Sequence, residues 1–241
     1  MLTVGSLFSG IGGMELGLER SGGFKTVWQV EIDEYARRVL AKHWPDVRRH
    51  DDVRTFPPGD PAEWACDLIC GGFPCQDISV SGRGAGIDGE QSGLWSEFAR
   101  IVRVLRPRYV LVENSPALTV RGLSRVLGDL AAARYDADWS VLSACAMGAT
   151  HTRERLFVVA YTQPPKRRAV CAEECRMENE HHRLQAGRDK DSSRDGKCLA
   201  SAGGQWLREP DVGRVAHGVP HRVDRLRGLG NAVVPQVEEY I

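Results

Sequence analysis

The chain has 241 residues, 42% hydrophobic and 27% charged, enough apolar material for one sizeable core and little beyond it. Its 32 basic residues balance 32 acidic ones, so global charge neither names nor excludes a polyanionic partner. No apolar run has the length of a membrane span, and the opening "MLTVGSLFSG" lacks the basic and apolar regions of a secretory signal, which predicts a soluble, cytoplasmic protein with no membrane partner. Seven irregularly spaced cysteines argue against a disulfide scaffold. Arg greatly outnumbers Lys, and Arg is the side chain suited to bidentate phosphate and base contacts.

In chain order, "LTVGSLF" reads as a strand, Met14 to Arg20 as a helix, "KTVWQVEI" as a strand and Tyr35 to His43 as a helix. "CDLICGG" is a strand, Leu94 to Leu105 a helix, "YVLVEN" a strand, Gly122 to Ala133 a helix, and "WSVLSACAM" and "RLFVVAY" are strands. Such alternation predicts an α/β fold with a mostly parallel sheet covered by helices on both faces. Ligands of such sheets sit beyond the C-terminal ends of the strands, where "FSGIGG", "EID", "GGFPCQ" and "ENSP" all fall. After Tyr161 the composition turns polar, with both charge signs and few β-branched residues, as in an irregular insertion. A turn and a last helix are expected from "GLGNAVVPQVEEYI".

The loop "FSGIGG" follows a strand and opens a helix, so its backbone N–H groups suit an adenosine-bearing cofactor. Glu31, about twenty residues on, stands where an acid takes ribose hydroxyls. Cys75 follows Pro74 on a turn freed by Gly71 and Gly72, the exposed setting that a thiolate nucleophile requires. Cys66, Cys70 and Cys145 lie in apolar runs and read as small core fillers. Glu113, at the end of an apolar strand, would hold a proton at neutral pH if buried, and could then serve a ring nitrogen. Arg153 and Arg155 alternate along a strand, which puts both guanidinium groups on one face.

The ordered set "LFSGIGG", "VEID", "DDV", "GGFPCQ", "VENSP", "THTRERLFVVA" and "RLRGLGNAVVP" resembles the motif series of the C5-cytosine DNA methyltransferases, in particular compact, phage-type members. The resemblance implies a class I S-adenosylmethionine-dependent, Rossmann-like sheet at residues 1–161. A short target-recognition region would follow at 162–222, and 223–241 would return to the catalytic domain. It implies S-adenosylmethionine as cofactor, against Phe8, Gly10, Ile11, Gly12 and Gly13, with Glu31 on the ribose and Ile32 on the adenine face. Asp52 and Val53 would meet the adenine edge, Leu94 the methionine portion, and Pro74, Asn231, Ala232 and Val233 would complete the pocket. Cys75 would be the nucleophile, with Gln76 beside it; Glu113 would be the proton donor at N3 and Asn114 the anchor of the catalytic loop. Arg153 and Arg155 would hold the base and a phosphate.

Double-stranded DNA is the implied partner, bound by a monomer, with a cognate restriction endonuclease as companion. Two positions depart from the family pattern: Ser115 stands for the valine of "ENV", and His151 for the glutamine of Gln-X-Arg-X-Arg. No metal is expected, because Cys171, Cys175, His181, His182 and Cys198 lack paired metal-ligand spacing. An RNA cytosine methyltransferase, a catalytically idle DNA-binding module and a nicotinamide oxidoreductase are the competing readings. The last of these gives Cys75 and Glu113 no role.

Overall fold

A computed structural model describes residues 1–74, 94–162 and 232–241. Seven strands form one sheet: β1 (Leu2–Leu7), β2 (Phe24–Val30), β3 (Arg48–His50), β4 (Leu68–Gly71), β5 (Tyr109–Asn114), β6 (Tyr135–Ser143) and β7 (Glu154–Thr162). The described helices are α1 (Gly13–Arg20), α2 (Glu34–His43), α3 (Leu94–Leu105), α4 (Leu118–Arg121), α5 (Leu123–Ala132) and α6 (Pro235–Tyr240). Sheet order is β3-β2-β1-β4-β5-β7-β6. Neighbours from β3 through β5 are parallel, whereas β7 runs antiparallel to both β5 and β6. The chain therefore winds outward from β1 in one direction and then from β4 in the other, leaving a crevice above the β1–β4 junction.

The central strand β4, "LICG", is buried at every position, as expected of a strand paired on both sides and covered on both faces. One face carries Trp28, Phe56, Phe73, Trp95, Phe98 and Ile101 with the apolar sides of α3 and α5. Helix α3 buries Trp95, Phe98, Ile101 and Val102, large side chains that each contribute about 1.5–3 kcal/mol on leaving water. The other face is closed by α1 and α6 through Met14, Leu18, Leu111, Phe157 and Val237.

Three sequence expectations change. The strand expected over "WSVLSACAM" starts earlier, at Tyr135, and stops at Ser143. Ala144–Met147 form a 3-10 turn because the Ser143 side chain accepts the Cys145 N–H and Gly148 adopts a left-handed conformation. Cys145 is half-buried and disulfide-bonded rather than a core-filling thiol. The short strand β3 lacks the apolar pattern that announces the others, since its residues are Arg48, Arg49 and His50. The proposed recognition region, apart from Thr162 at the end of β7, lies outside the described residues, as do the cysteines and histidines considered for zinc. Among the described residues no helix is long and apolar enough to cross a membrane.

Helix α6 is seated on α1 through missing side chains. A Cβ on Gly17 would stand 2.4 Å from Glu238 Cβ and 2.5 Å from the Pro235 carbonyl oxygen, and one on Gly13 would stand 2.8 Å from the Val233 carbonyl oxygen. The same seam buries Glu238, whose two carboxyl oxygens have no hydrogen-bond partner among the described residues. Burial, reinforced by Glu113 and Glu15, holds that carboxyl well above its usual range. The folded state thus binds a proton that the unfolded chain gives up near 4.5, so this position weakens the fold as pH rises through that value and towards the folded pKa. Glu238→Leu should be more stable than the natural chain by about 1–3 kcal/mol at pH 8 and by less at pH 5. Urea unfolding at the two pH values measures the difference.

Candidate active site

The first turn of the crevice is built by backbone geometry. Phe8, Gly10 and Gly12 have φ of 54°, 55° and 88°, turning the chain sharply between β1 and α1. Glu31, at the end of β2, fixes this loop: its Oε2 accepts the Gly10 N–H at 2.7 Å and its Oε1 accepts the Asp33 N–H at 2.7 Å. Arg37 donates to the carbonyls of Glu31 and Ile32 at 3.2 and 3.1 Å, which holds the strand end in place. Beside it Ile32 is 65% exposed, an apolar surface that the described residues leave uncovered. Among the described residues, its chain neighbours aside, no heavy atom lies within 4 Å of where a Gly10 Cβ would stand. An open cradle, a ribose-height carboxylate with spare lone pairs and a bare aliphatic face together fit an adenosine group.

Other positions expected around the cofactor have structural partners of their own. A Cβ on Gly12 would stand 2.4 Å from the Trp44 ring, so the ring covers the glycine directly. Asp52 caps the short turn Val53–Thr55 and clamps Arg54, with Nε–Oδ1 2.9 Å and Nη2–Oδ2 2.8 Å. The Arg54 guanidinium holds that carboxyl below its usual range. Val53 is buried, and its carbonyl accepts from Arg100 of α3 at 3.0 Å, while Leu94 opens α3 half-buried against the core. Ile11 is half-buried in the glycine loop, Ala232 contributes a carbonyl, and Val233 backs onto Gly13. Asn231 lies outside the described residues.

The second half of the site centres on Glu113. Its Oε1 meets Arg155 Nε at 2.9 Å, and both side chains are largely buried. Strand β7 makes this possible: Asn114 is registered with Leu156 and Glu113 with Phe157, so the antiparallel partner begins where β5 ends. Burial pushes the Glu113 carboxyl up, while Arg155 and Arg153 pull against it. Arg153 precedes β7 rather than forming part of it, with φ of 29°, and its guanidinium donates to the Ala232 carbonyl. Burial and the like charge of Arg155 lower its pKa. The expectation that strand alternation alone aligns the two arginines is therefore corrected. Arg155 arrives by strand register and Arg153 by a left-handed residue tied to the far end of the chain.

Asn114 is buried, its Nδ2 donating to the Phe73 carbonyl at 3.1 Å and its Oδ1 accepting the Ser115 N–H at 2.8 Å. It thereby fixes the segment Phe73-Pro74, after which Cys75 and Gln76 lie outside the described residues. Cys66 and Cys70 are ruled out as nucleophiles: burial pushes the Cys66 thiol up to about 12 and the Cys70 thiol well above its usual range. Sequence reasoning did not single out Arg37, Trp44 or Arg100, because a backbone-bonding arginine or a covering tryptophan carries no local pattern. Among the described residues no cluster of His, Cys, Asp and Glu is placed to hold a metal ion.

The glycine loop with Glu31 and the buried Glu113–Arg155 pair stand at the strand ends of a class I methyltransferase sheet. The chain belongs to the C-5 cytosine-specific DNA methylase family, whose model matches residues 2–198. It is similar to the type II methyltransferase M.NgoFVII of Neisseria gonorrhoeae, 32% identical over 158 residues that make up 64% of this chain and 42% of that one. It is likewise similar to M2.BsuMI of Bacillus subtilis, 35% identical over 173 residues, 66% of this chain and 42% of that protein. The chain thus spans less than half the length of either relative. Among solved structures, one described as a DNA modification methyltransferase encoded within an E. coli prophage has a TM-score of 0.57 at 29% identity, covering 67% of this chain and 47% of the other. The Entamoeba histolytica methyltransferase EhMeth shares the fold with a TM-score of 0.60 at 21% identity, over 70% of this chain and 56% of the other.

Removing the guanidinium opposite Glu113 leaves burial less opposed. Arg155→Gln should therefore raise the midpoint at which the Glu113 carboxyl titrates, read by carboxyl-carbon NMR with Glu113→Gln to assign the resonance.

Proposed function

We propose that this chain is a DNA (cytosine-5)-methyltransferase that uses S-adenosylmethionine and acts on a cytosine turned out of the duplex. The observation that carries the reading is the Glu113–Arg155 pair at 2.9 Å, with Asn114 tying the same strand end to the backbone just before Cys75. When bound in the glycine cradle, S-adenosylmethionine supplies an electrophilic methyl carbon. Phe8, Gly10, Ile11, Gly12 and Gly13 would form the cradle and Glu31 would hold the ribose, with Ile32 flat on the adenine. Asp52, Val53, Leu94, Pro74, Asn231, Ala232 and Val233 would line the remainder.

A cytosine inside the stack exposes neither face of its C5–C6 bond to a side-chain nucleophile, so the base leaves the helix. The Cys75 thiolate then adds to C6. Glu113, whose proton affinity burial raises against the pull of Arg155, gives a proton to N3 as negative charge moves into the ring. C5, now nucleophilic, takes the methyl group; water removes the C5 proton, the Cys75–C6 bond breaks with its electron pair returning to sulfur, the N3 proton returns to Glu113, and 5-methylcytosine is released. Arg155 neutralises the Glu113 carboxylate that proton donation creates, and Arg153 with Arg155 faces the base carbonyl. Gln76 adjoins the nucleophile in sequence, and the recognition region at 162–222 would read the target site. The protein would act as a monomer alongside a cognate endonuclease, in the cytoplasm.

Transfer of labelled methyl to unmethylated duplex DNA, followed by bisulfite sequencing, tests the reading. Cys75→Ser should abolish transfer, and Glu113→Gln should lower it by about 10²–10⁴-fold, both with S-adenosylhomocysteine binding preserved. Full activity in Cys75→Ser would remove the nucleophile assignment. Transfer to tRNA but not to DNA would move the substrate to RNA.

A further inference from the structure

We infer that Gly72 is a positioning residue for the Glu113 carboxylate, which occupies the space that a side chain at position 72 would fill. A Cβ at Gly72 would lie 2.5 Å from Glu113 Oε2, 3.5 Å from the Glu113 carbonyl oxygen and 3.6 Å from Glu113 Cδ. The backbone of Gly72 has no left-handed φ, so conformation does not require glycine here. The requirement is space, and the group that uses it is the proton donor of the proposed reaction.

The geometry explains how one carboxylate serves two directions. Oε1 is held by Arg155 at 2.9 Å, and Oε2 rests over the bare Cα of Gly72 at the exit of β4. Gly72 follows the last residue of β4 and lies three positions before Cys75, so the acid is stacked on the segment that leads to the nucleophile. A methyl group at position 72 meets the end of a flexible side chain, which yields by rotating away. Its effect therefore falls first on the carboxylate and its pairing with Arg155. Gly71 is the contrast: a Cβ there would stand 2.4 Å from the Leu7 carbonyl oxygen, in the backbone of the neighbouring strand. Alanine at 71 strains the sheet; alanine at 72 displaces an acid.

This inference rests on the methyltransferase reading for its consequence but not for its geometry, and the test separates the two. In Gly72→Ala, the Glu113 carboxyl resonance should shift and its titration midpoint should rise as the carboxylate leaves Arg155, with some loss of thermal stability from the separated pair, while cooperative unfolding and S-adenosylhomocysteine binding are retained. Methyl transfer should fall on the order of 100-fold, the loss expected when a reacting group is misplaced by about an ångström. Shortening the acid restores the room, so Gly72→Ala should cost less than about threefold in a Glu113→Asp background, a non-additivity that a merely structural glycine would not produce. An unchanged titration midpoint, or equal losses in both backgrounds, overturns the inference. A shifted midpoint in a protein that transfers no methyl group to DNA or RNA would leave Gly72 positioned as stated and overturn the proposed activity instead.

Discussion

The antiparallel pairing of β7 with β5 is the constraint on which the site depends. In a parallel sheet every strand ends at the same edge and begins at the other, so a residue at the start of a strand cannot meet one at the end of its neighbour. Reversing one strand removes that prohibition. Glu113 at the end of β5 and Arg155 at the start of β7 then face each other through register, with Asn114 opposite Leu156 as the last rung of the ladder. Burial opposes the charged acid and the guanidinium supports it, and this balance places its proton affinity above that of an ordinary carboxylate.

The other side of the crevice follows from the winding of the sheet. Because the strand order reverses at the β1–β4 junction, the loops after β1 and β2 and residues 72–74 after β4 leave adjacent strand ends. Glu31 joins them by accepting the N–H of Gly10, so the cradle is held from the strand beside it. Arg100 performs a related task from below, tying α3 to the carbonyls of Val53 and Phe56 at 3.0 and 2.7 Å. Both charged groups fix loops by bonding backbone, Arg100 while its Nε also pairs with Glu97 at 2.7 Å.

Much of this was legible in the sequence because apolar periodicity and strand-end motifs are local signals. The strands around "SLF", "WQV", "LIC" and "VLV" and the helix Leu94–Leu105 follow directly from their patterns. β3 is invisible by that criterion, since a three-residue edge strand of Arg and His is held by pairing with β2 and by side chains such as Arg48 stacked on Trp64. The direction of β7 is equally hidden, because an apolar run reads the same whichever way it is laid. Gly71 and Gly72 look alike as turn-forming residues. Only three-dimensional proximity shows that one faces a carbonyl and the other a carboxylate. Glu15 and Glu238 read as ordinary helical acids until α1 and α6 close over them.

The seam between α1 and α6 joins residues separated by nearly the whole chain. α1 leaves the ribosome long before the Val233 carbonyl over Gly13 and the Val237 side chain in its core. Until then the apolar side of α1 has an incomplete cover, and Arg153 lacks the Ala232 carbonyl that receives its guanidinium. Contacts of such large sequence separation form late, since chain closure precedes any gain from them. The pairing of β1 with its sheet neighbours thus spans far less chain than the α1–α6 seam, and the Arg153–Ala232 contact shares the long chain closure of that seam.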